Sequence, residues 1–154
     1  AQRTLSFIAK SAGGVVPRRP ETYDFSHALT WGRARELPQH VRNALNVQDF
    51  SLALESVFLV VGEGNRYIDE KAPWKLRKTD PAEMEVVLSV LYDLLRYVAP
   101  VLQPLMPDSM GTLLDQLGVP PNARLIADLE MPIPSGTVLP APQGVFPRFV
   151  EEIE

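Results

Sequence analysis

The chain has 154 residues, no cysteine, a formal net charge of −4, 45% hydrophobic residues and 22% charged residues. This length suits one domain with its own core, and the lack of cysteine excludes disulfides, thiolate metal sites and cysteine nucleophiles. No apolar run reaches the roughly 18 residues that a membrane span needs, and no signal peptide is visible. We therefore expect a cytoplasmic protein without a membrane partner.

The charge is distributed unevenly along the chain. Residues 1–78 hold 12 Lys/Arg and 8 Asp/Glu, a balance of +4, whereas residues 79–154 hold 3 and 11, a balance of −8. The negative total argues mildly against a nucleic-acid binder, because such domains are usually basic. The pattern permits a phosphate-facing N-terminal half, and it is equally compatible with an ordinary mixed surface.

The first two predicted helices lie before residue 47. The first has apolar residues at the spacing of one buried face, namely Leu5, Ile8, Ala9 and Ala12. Gly13 and Gly14 should end it. No N-cap residue precedes it, so we interpret the chain as starting within a helix whose N-terminus is truncated. Asp24 is predicted to cap a second helix that runs to Asn46, with a break or kink at Pro38.

A third helix should start after Asp49 and end at Pro73. Its apolar stripe comprises Leu54, Val57, Phe58, Val61, Ile68 and Ala72, widened by Phe50 and Leu59. This stripe predicts that the third helix is the central one. Gly62 and Gly64 lie inside the helical pattern, where glycines allow close helix packing.

The fourth helix has the clearest start, with Asp80 at the N-cap, Pro81 at the first position and Glu83 at the third. Its amphipathic pattern comprises Met84, Val87, Leu88, Leu91, Leu95, Val98 and Leu102. Pro100 and Pro104 should kink or end it. A short last helix is predicted from Pro107 to Leu117 and is terminated by Gly118.

Residues 119–154 differ in composition, because seven of the fifteen prolines lie there. Candidate strands in this region are short: Leu125–Leu129, Thr137–Leu139 and Val145–Phe149. Since proline confines strands to edges, we expect an irregular extension that could form a small hairpin. The predicted fold is all-α: an antiparallel bundle of four or five helices over residues 1–118, with a Pro-rich C-terminal extension over residues 119–154.

No catalytic site is predicted in this chain. The sequence contains no nucleophile elbow, no phosphate-binding glycine loop and no zinc-helix motif. The two histidines, His27 and His40, are thirteen residues apart, which fits no metal-binding helix. We therefore expect no catalytic residue, no metal ligand and no cofactor here.

One segment, Asn65 to Trp74, combines several features that suit base recognition. Asn65 lies on the apolar stripe of the third helix, so we expect it to be buried and hydrogen-bonded. Pro73 forces the preceding residue out of helical geometry, which places Trp74 just beyond a rigid helix end. The surrounding cations are Lys71, Lys75, Arg77 and Lys78. An aromatic plane among cations suits a splayed-out base, but a tryptophan packed at a helix junction fits the residues equally well.

The same segment resembles a family signature. Asn65–Trp74, which reads N-R-Y-I-D-E-K-A-P-W, resembles the anticodon-domain signature of methionyl-tRNA synthetases. Arg3–Ile8 is similar to the end of that family's first bundle helix, and Phe146-Pro147-Arg148 is similar to an F-P-R near the end of its bacterial core. The resemblance runs from residue 1 to about 150 in the same order. The H-I-G-H and K-M-S-K-S motifs of the catalytic domain are absent.

The resemblance implies a function and its residues. Trp74, positioned by Pro73, would stack on the first base of a CAU anticodon, and Arg3 would contact the anticodon from the opposite wall. A partner asparagine four residues before that arginine would fall outside this sequence. Asn65, Lys75 and Lys78 would support the site.

The implied partners are the anticodon loop of methionine tRNA and the protein's own catalytic domain, on which the extension could also pack. ATP with Mg²⁺ would bind only to that catalytic domain, so this chain alone would be non-catalytic. No DNA partner is expected.

Three alternatives stay open at this point. The chain could be a stand-alone helical module that binds tRNA or a protein without catalysis. It could be the bundle of a sister synthetase, which the Ala72-Pro73-Trp74 triplet disfavours. It could also be a purely structural protein that docks through its acidic C-terminal half. A native length of some 500 residues with a Rossmann-type N-terminal half would favour the ligase.

Overall fold

The computed structural model describes residues 1–146. Six α-helices form there: α1 (Gln2–Ser11), α2 (Phe25–Asn46), α3 (Phe50–Lys71), α4 (Pro73–Thr79), α5 (Pro81–Leu102) and α6 (Pro107–Gln116). Two 3₁₀ turns follow, at Pro121–Ala123 and Ile126–Glu130. The all-α prediction is confirmed, with the short α4 as an unpredicted addition. None of the helices in this part of the chain is long and apolar enough to cross a membrane.

Aspartate caps start three of the helices as predicted. The side chains of Asp24, Asp49 and Asp80 accept hydrogen bonds from backbone N–H groups three residues later, at 3.0, 2.9 and 3.1 Å. Each bond satisfies one of the free N–H groups of a first helical turn. Of the break or kink expected at Pro38, the break is absent, because α2 continues through Pro38 to Asn46.

The central helix is α5, so the prediction that α3 is central is wrong. Fifteen residues of α5 are buried, and α5 packs against each of the other five α-helices. The physical reason is that α5 is apolar on nearly all sides, which only a fully surrounded position can bury. In α3 the buried residues are Ala53, Val57, Val60, Gly64, Tyr67 and Ile68, of which Val57 and Ile68 belong to the predicted stripe. Four members of its predicted stripe are exposed: Phe50, Leu54, Phe58 and Leu59.

The extension after α6 packs back on the bundle without forming a hairpin of its own within the described residues. Leu125–Leu129, predicted as a strand, lies largely in the second 3₁₀ turn, where Asp128 accepts the N–H of Leu125 at 2.9 Å. Thr137–Leu139 pairs with the connection after α1 through an isolated antiparallel bridge between Val15 and Val138. Val145–Phe149 extends beyond residue 146 and lies partly outside the described residues.

A buried ion network joins this extension to α5. The Asp93 carboxylate accepts hydrogen bonds from Arg19 Nε and Nη2 at 2.6 and 2.7 Å, and Arg96 Nε lies 3.3 Å away. The same arginines donate to the extension, Arg19 to the Ile133 carbonyl at 2.8 Å and Arg96 to the Leu129 carbonyl at 2.9 Å. One carboxylate therefore orients two guanidinium groups that hold residues 129–133 against the bundle.

Candidate nucleic-acid interface

The corner between α3 and α4 is formed by a single residue. Ala72 adopts left-handed geometry with φ 44° and ψ 61°, and its N–H donates to the Ile68 carbonyl at 3.0 Å. Proline at the next position disfavours right-handed helical geometry at Ala72, which explains the turn. Pro73 is buried and starts α4. Trp74 is thus the second residue of a short helix, where the sequence had predicted a position just beyond a helix end.

Arg3 and Trp74 meet at this corner although 71 residues separate them in the sequence. The Arg3 guanidinium carbon lies 5.1 Å from the centroid of the Trp74 ring, within cation–π distance. The same guanidinium donates to the Asp69 carboxylate on the last turns of α3. Trp74 keeps 41% of its surface exposed, so its ring is available at the surface.

Asn65 is exposed, which makes the prediction of a buried Asn65 wrong. The reason is helical phase, since Gly64, Tyr67 and Ile68 face the bundle and Asn65 falls to the side of them. Asn65 instead lines a small cavity of about 70 Å³ together with Arg3. It therefore lies on the same face of α3 as Asp69, one turn away.

The cations that lie near Trp74 in the sequence are exposed, with one exception. Lys75, Arg77 and Lys78 are exposed and form no ion pair with residues 1–146. Lys71 is the exception, because its Nζ lies 3.4 Å from Glu83 Oε1 on α5. Three positive charges on α4 thus have no ion-pair partner among the described residues.

A polar cluster behind the corner joins α2, α3 and α5. Buried His27 bonds through Nδ1 to the Tyr67 hydroxyl, and its Nε2 lies 3.1 Å from Glu83 Oε1 and 3.5 Å from Asp24 Oδ2. Burial, with the negative charge of Glu83, raises the pKa of Tyr67. Within residues 1–146, Asp24, His27 and Glu83 form the one group with three potential metal ligands. Lys71 already lies beside Glu83, so the protein supplies a cation of its own there.

Asp69 is the residue of this surface that sequence reasoning missed. Its position one turn after Asn65 on α3 was the available signal, because residues four apart share a helix face. The pairing with Arg3 could not be read from spacing, since it joins two separate helices. Arg148, part of the F-P-R match, and Pro147 lie outside the described residues.

The corner combines an exposed aromatic ring with exposed cations on the same short helix, a combination that suits an unpaired base. Comparison with known proteins gives the family. Residues 25–153 match the family model described as the anticodon binding domain of methionyl tRNA ligase. The chain belongs to the methionyl-tRNA ligase family.

Curated relatives agree over nearly the whole chain. The methionine–tRNA ligase of Mesorhizobium japonicum is 46% identical over 99% of the chain, and that of Brucella suis is 46% identical over 100%. In each case the match covers 30% of the relative, so the chain spans less than a third of their length.

Solved structures show the same fold. The apo methionyl-tRNA synthetase of Mycobacterium tuberculosis matches with a TM-score of 0.91 at 38% identity, over 97% of this chain and 31% of that one. The same enzyme bound by methionyl-adenylate matches with a TM-score of 0.90 at 39% identity, over 95% of this chain and 30% of that one.

Proposed function

We propose that this chain is the anticodon-recognising part of a methionine–tRNA ligase, which attaches methionine to tRNA with ATP. The observation that carries the proposal is the meeting of Arg3 and Trp74 at the α3–α4 corner, 5.1 Å apart. Both residues were expected at an anticodon site from sequence resemblance alone. ATP and Mg²⁺ would bind to the catalytic domain, outside this chain.

The corner has the physical properties that base recognition requires. The Trp74 ring is accessible, and the left-handed Ala72 and buried Pro73 fix the direction in which α4 presents it. Lys75 and Lys78 are free to approach the phosphates of a bound loop, since neither is paired with a described carboxylate. Stacking on an aromatic face together with cationic backbone contacts is the usual way to hold an unpaired base.

Arg3 has two roles in this proposal. Without tRNA, its guanidinium covers the Trp74 ring and is paired with Asp69. A base that stacks on the ring takes the position of the guanidinium, which can then donate to a base edge or a phosphate. Asn65, exposed on the same side as Arg3, adds an amide donor and acceptor to this wall.

The relatives favour a ligase over a stand-alone module. Those compared carry the name methionine–tRNA ligase and are about three times as long as this chain, which covers 30% of them. The bundle accordingly supplies recognition, and its own catalytic domain supplies the chemistry.

The test is Trp74→Ala in the full-length ligase, with Leu59→Ala as the matched control. Leu59 is an apolar residue of α3 that is 74% exposed and takes no part in the corner. Loss of one base stack costs about 1–3 kcal/mol, so Trp74→Ala should lower kcat/KM for tRNA charging roughly 5- to 150-fold. Methionine-dependent pyrophosphate exchange should be unchanged in both variants.

Thermal melting of the same variants separates recognition from packing. A tryptophan that only stabilises the core would cost about 3–5 kcal/mol on truncation and would reduce activation and charging together. A Trp74→Ala enzyme that melts much earlier and loses both activities, or one that charges tRNA normally, would refute the proposed role.

A further inference from the structure

The short helix α4, which carries Trp74, has little packing of its own. Ala72 and Pro73 set the direction in which α4 leaves α3, and Asp80 joins its other end directly to α5. Of its seven residues only Pro73 is buried and Leu76 half-buried, and the helix packs mainly on α5. Since segments with few buried apolar contacts open at low cost in free energy, the orientation of the Trp74 ring depends on contacts at the two ends of α4.

An ion pair between Lys71 and Glu83 connects these two ends. Lys71 Nζ donates a hydrogen bond to Glu83 Oε1 at 3.4 Å. Lys71 is the last residue of α3 and Glu83 lies in the first turn of α5, so the pair encloses the whole of α4. The two side chains are only 24% and 31% exposed, and solvent ions therefore screen the pair less than they screen a fully exposed one. The pair restrains the distance between the end of α3 and the start of α5, and with it the placement of α4.

The same carboxylate oxygen of Glu83 also contacts α2. It lies 3.1 Å from Nε2 of His27, a residue that is 2% exposed and whose Nδ1 bonds to the Tyr67 hydroxyl. His27 Nε2 is buried and forms no aligned hydrogen bond with a described residue, and Glu83 is the nearer of the two carboxylates beside it. Rotation of Glu83 away from Lys71 would take this acceptor from the buried ring nitrogen, and a buried polar group without a partner is costly. His27 therefore favours the Glu83 conformation that pairs with Lys71.

The last turns of α3 are held by three other helices. Three of their residues each pair with a different helix: Tyr67 with His27 of α2, Asp69 with Arg3 of α1, and Lys71 with Glu83 of α5. Of these partners, Glu83 alone follows α4 in the sequence. The pairs with α1 and α2 therefore fix the end of α3, whereas the pair with Glu83 also fixes where α4 must end.

We propose that Glu83 is a positioning residue for anticodon recognition: through Lys71 it holds α4 in the orientation in which Trp74 presents its ring to a base. In this role Glu83 itself touches no base. A ring that is already oriented before tRNA arrives avoids the free-energy cost of ordering the corner on binding, so loss of the pair weakens tRNA binding. The inference rests on the proposed function, because it assigns to Glu83 the support of the same site.

The test is Glu83→Gln in the full-length ligase, with Glu85→Gln as the matched control. Both substitutions remove one negative charge from the first turns of α5, but Glu85 pairs with Arg18, at 3.5 Å, and does not contact α3 through an ion pair among the described residues. Glu83→Gln should raise KM for tRNA by about three- to tenfold, the range for loss of one partly exposed ion pair. KM for methionine and for ATP, and methionine-dependent pyrophosphate exchange, should be unchanged. Glu85→Gln should behave like the unsubstituted enzyme in every assay.

Combination with Trp74→Ala separates positioning from a general contribution to stability. If Glu83 acts through the ring, Glu83→Gln should cause no further loss of kcat/KM for charging in the Trp74→Ala enzyme. The same factor of loss in both backgrounds, or loss of pyrophosphate exchange together with charging, would assign Glu83 a general structural role and overturn the proposal. A normal KM for tRNA in Glu83→Gln beside impaired charging in Trp74→Ala would overturn the positioning role alone. Normal charging by Trp74→Ala would refute the proposed function, and this role with it.

Discussion

Replacement of Asp93 by asparagine should destabilise the fold severely while leaving the shape of the side chain unchanged. Asp93 is 1% exposed, and its carboxylate accepts two short hydrogen bonds from Arg19, at 2.6 and 2.7 Å. Arg96 Nε lies 3.3 Å away, and Arg96 is also buried. Because an asparagine side chain carries no charge, Asp93→Asn leaves two guanidinium groups without their counterion in a water-poor environment.

The size of the loss follows from these contacts. Removal of one partner from a buried ion pair costs about 3–5 kcal/mol, mainly because the remaining charge is desolvated and unpaired. For a domain of this size, each 1 kcal/mol lowers Tm by about 2–4 °C, so Asp93→Asn should lower Tm by about 6–20 °C. Asp115→Asn is the matched control, because that exposed carboxylate pairs with Arg124 at the surface. Exposed pairs contribute about 0–1 kcal/mol.

Urea and thermal denaturation followed by circular dichroism measure both variants on the 154-residue chain. The reasoning is refuted if Asp93→Asn and Asp115→Asn lower the free energy of unfolding equally. The network holds residues 129–133 through Arg19 and Arg96. The reasoning is therefore also refuted if this segment, in the folded Asp93→Asn variant, resists proteolysis as well as it does in the unchanged protein.

Two further predictions concern helix starts and helix packing. The hydrogen bond from the His27 N–H lowers the pKa of Asp24. The stabilisation that the ionised Asp24 side chain gives to α2 is therefore fully present above the ordinary carboxyl pKa, and it is lost as the pH falls through the lowered pKa of Asp24. Asp24→Ala should cost about 0.5–2 kcal/mol at pH 7 and less as the pH falls through the lowered pKa, as measured by urea titration at a series of pH values. Gly64→Val should cost about 1–3 kcal/mol, because a Cβ there would lie 3.0 Å from Leu94 Cδ1. Gly62→Ala, with nothing within 4 Å of its Cβ, should instead stabilise by about 1 kcal/mol; equal Tm shifts for the two glycines would contradict the packing argument.

Local features of the fold were predictable, because their causes are local. The three aspartate caps and the start of α5 at Pro81 depend on side chains within one helical turn. The terminator Gly118 adopts φ 67°, which a residue without Cβ takes without strain. Each of these positions was predicted correctly for that reason.

Features that depend on distant partners were not predictable from periodicity. The stripe of α3 has a genuine helical period, yet Leu54 and Phe58 are exposed because nothing in the described chain covers them. Leu125–Leu129 has strand-like composition, but the Asp128 side chain caps the Leu125 N–H and stabilises a 3₁₀ turn. The sequence of a segment shows which side chains it could bury, but the neighbouring elements of the fold determine which of them are covered.

The candidate site shows the same division. The proline-bounded corner at Trp74 was visible in the sequence, whereas Arg3 was expected at the site only from family resemblance, on the opposite wall, and its direct contact with Trp74 was not expected. The Arg3–Asp69 pair was not expected at all, because it joins α1 to the end of α3. The assigned roles of Arg3, Pro73 and Trp74 in tRNA recognition stay predictions.

The pairing of the C-terminal extension with the start of the chain sets an order on synthesis. Arg19 donates to the Ile133 carbonyl across 114 residues, and the Val16 N–H donates to the Thr137 carbonyl. At about 5–20 residues per second, a ribosome needs roughly 6–23 s to add that length. During this interval α2 to α6 emerge and pack, while the connection after α1 still lacks its hydrogen bonds to the extension. The contact between Arg19 and the Ile133 carbonyl therefore forms only after residue 133 leaves the exit tunnel, and a nascent chain stalled before that point lacks it.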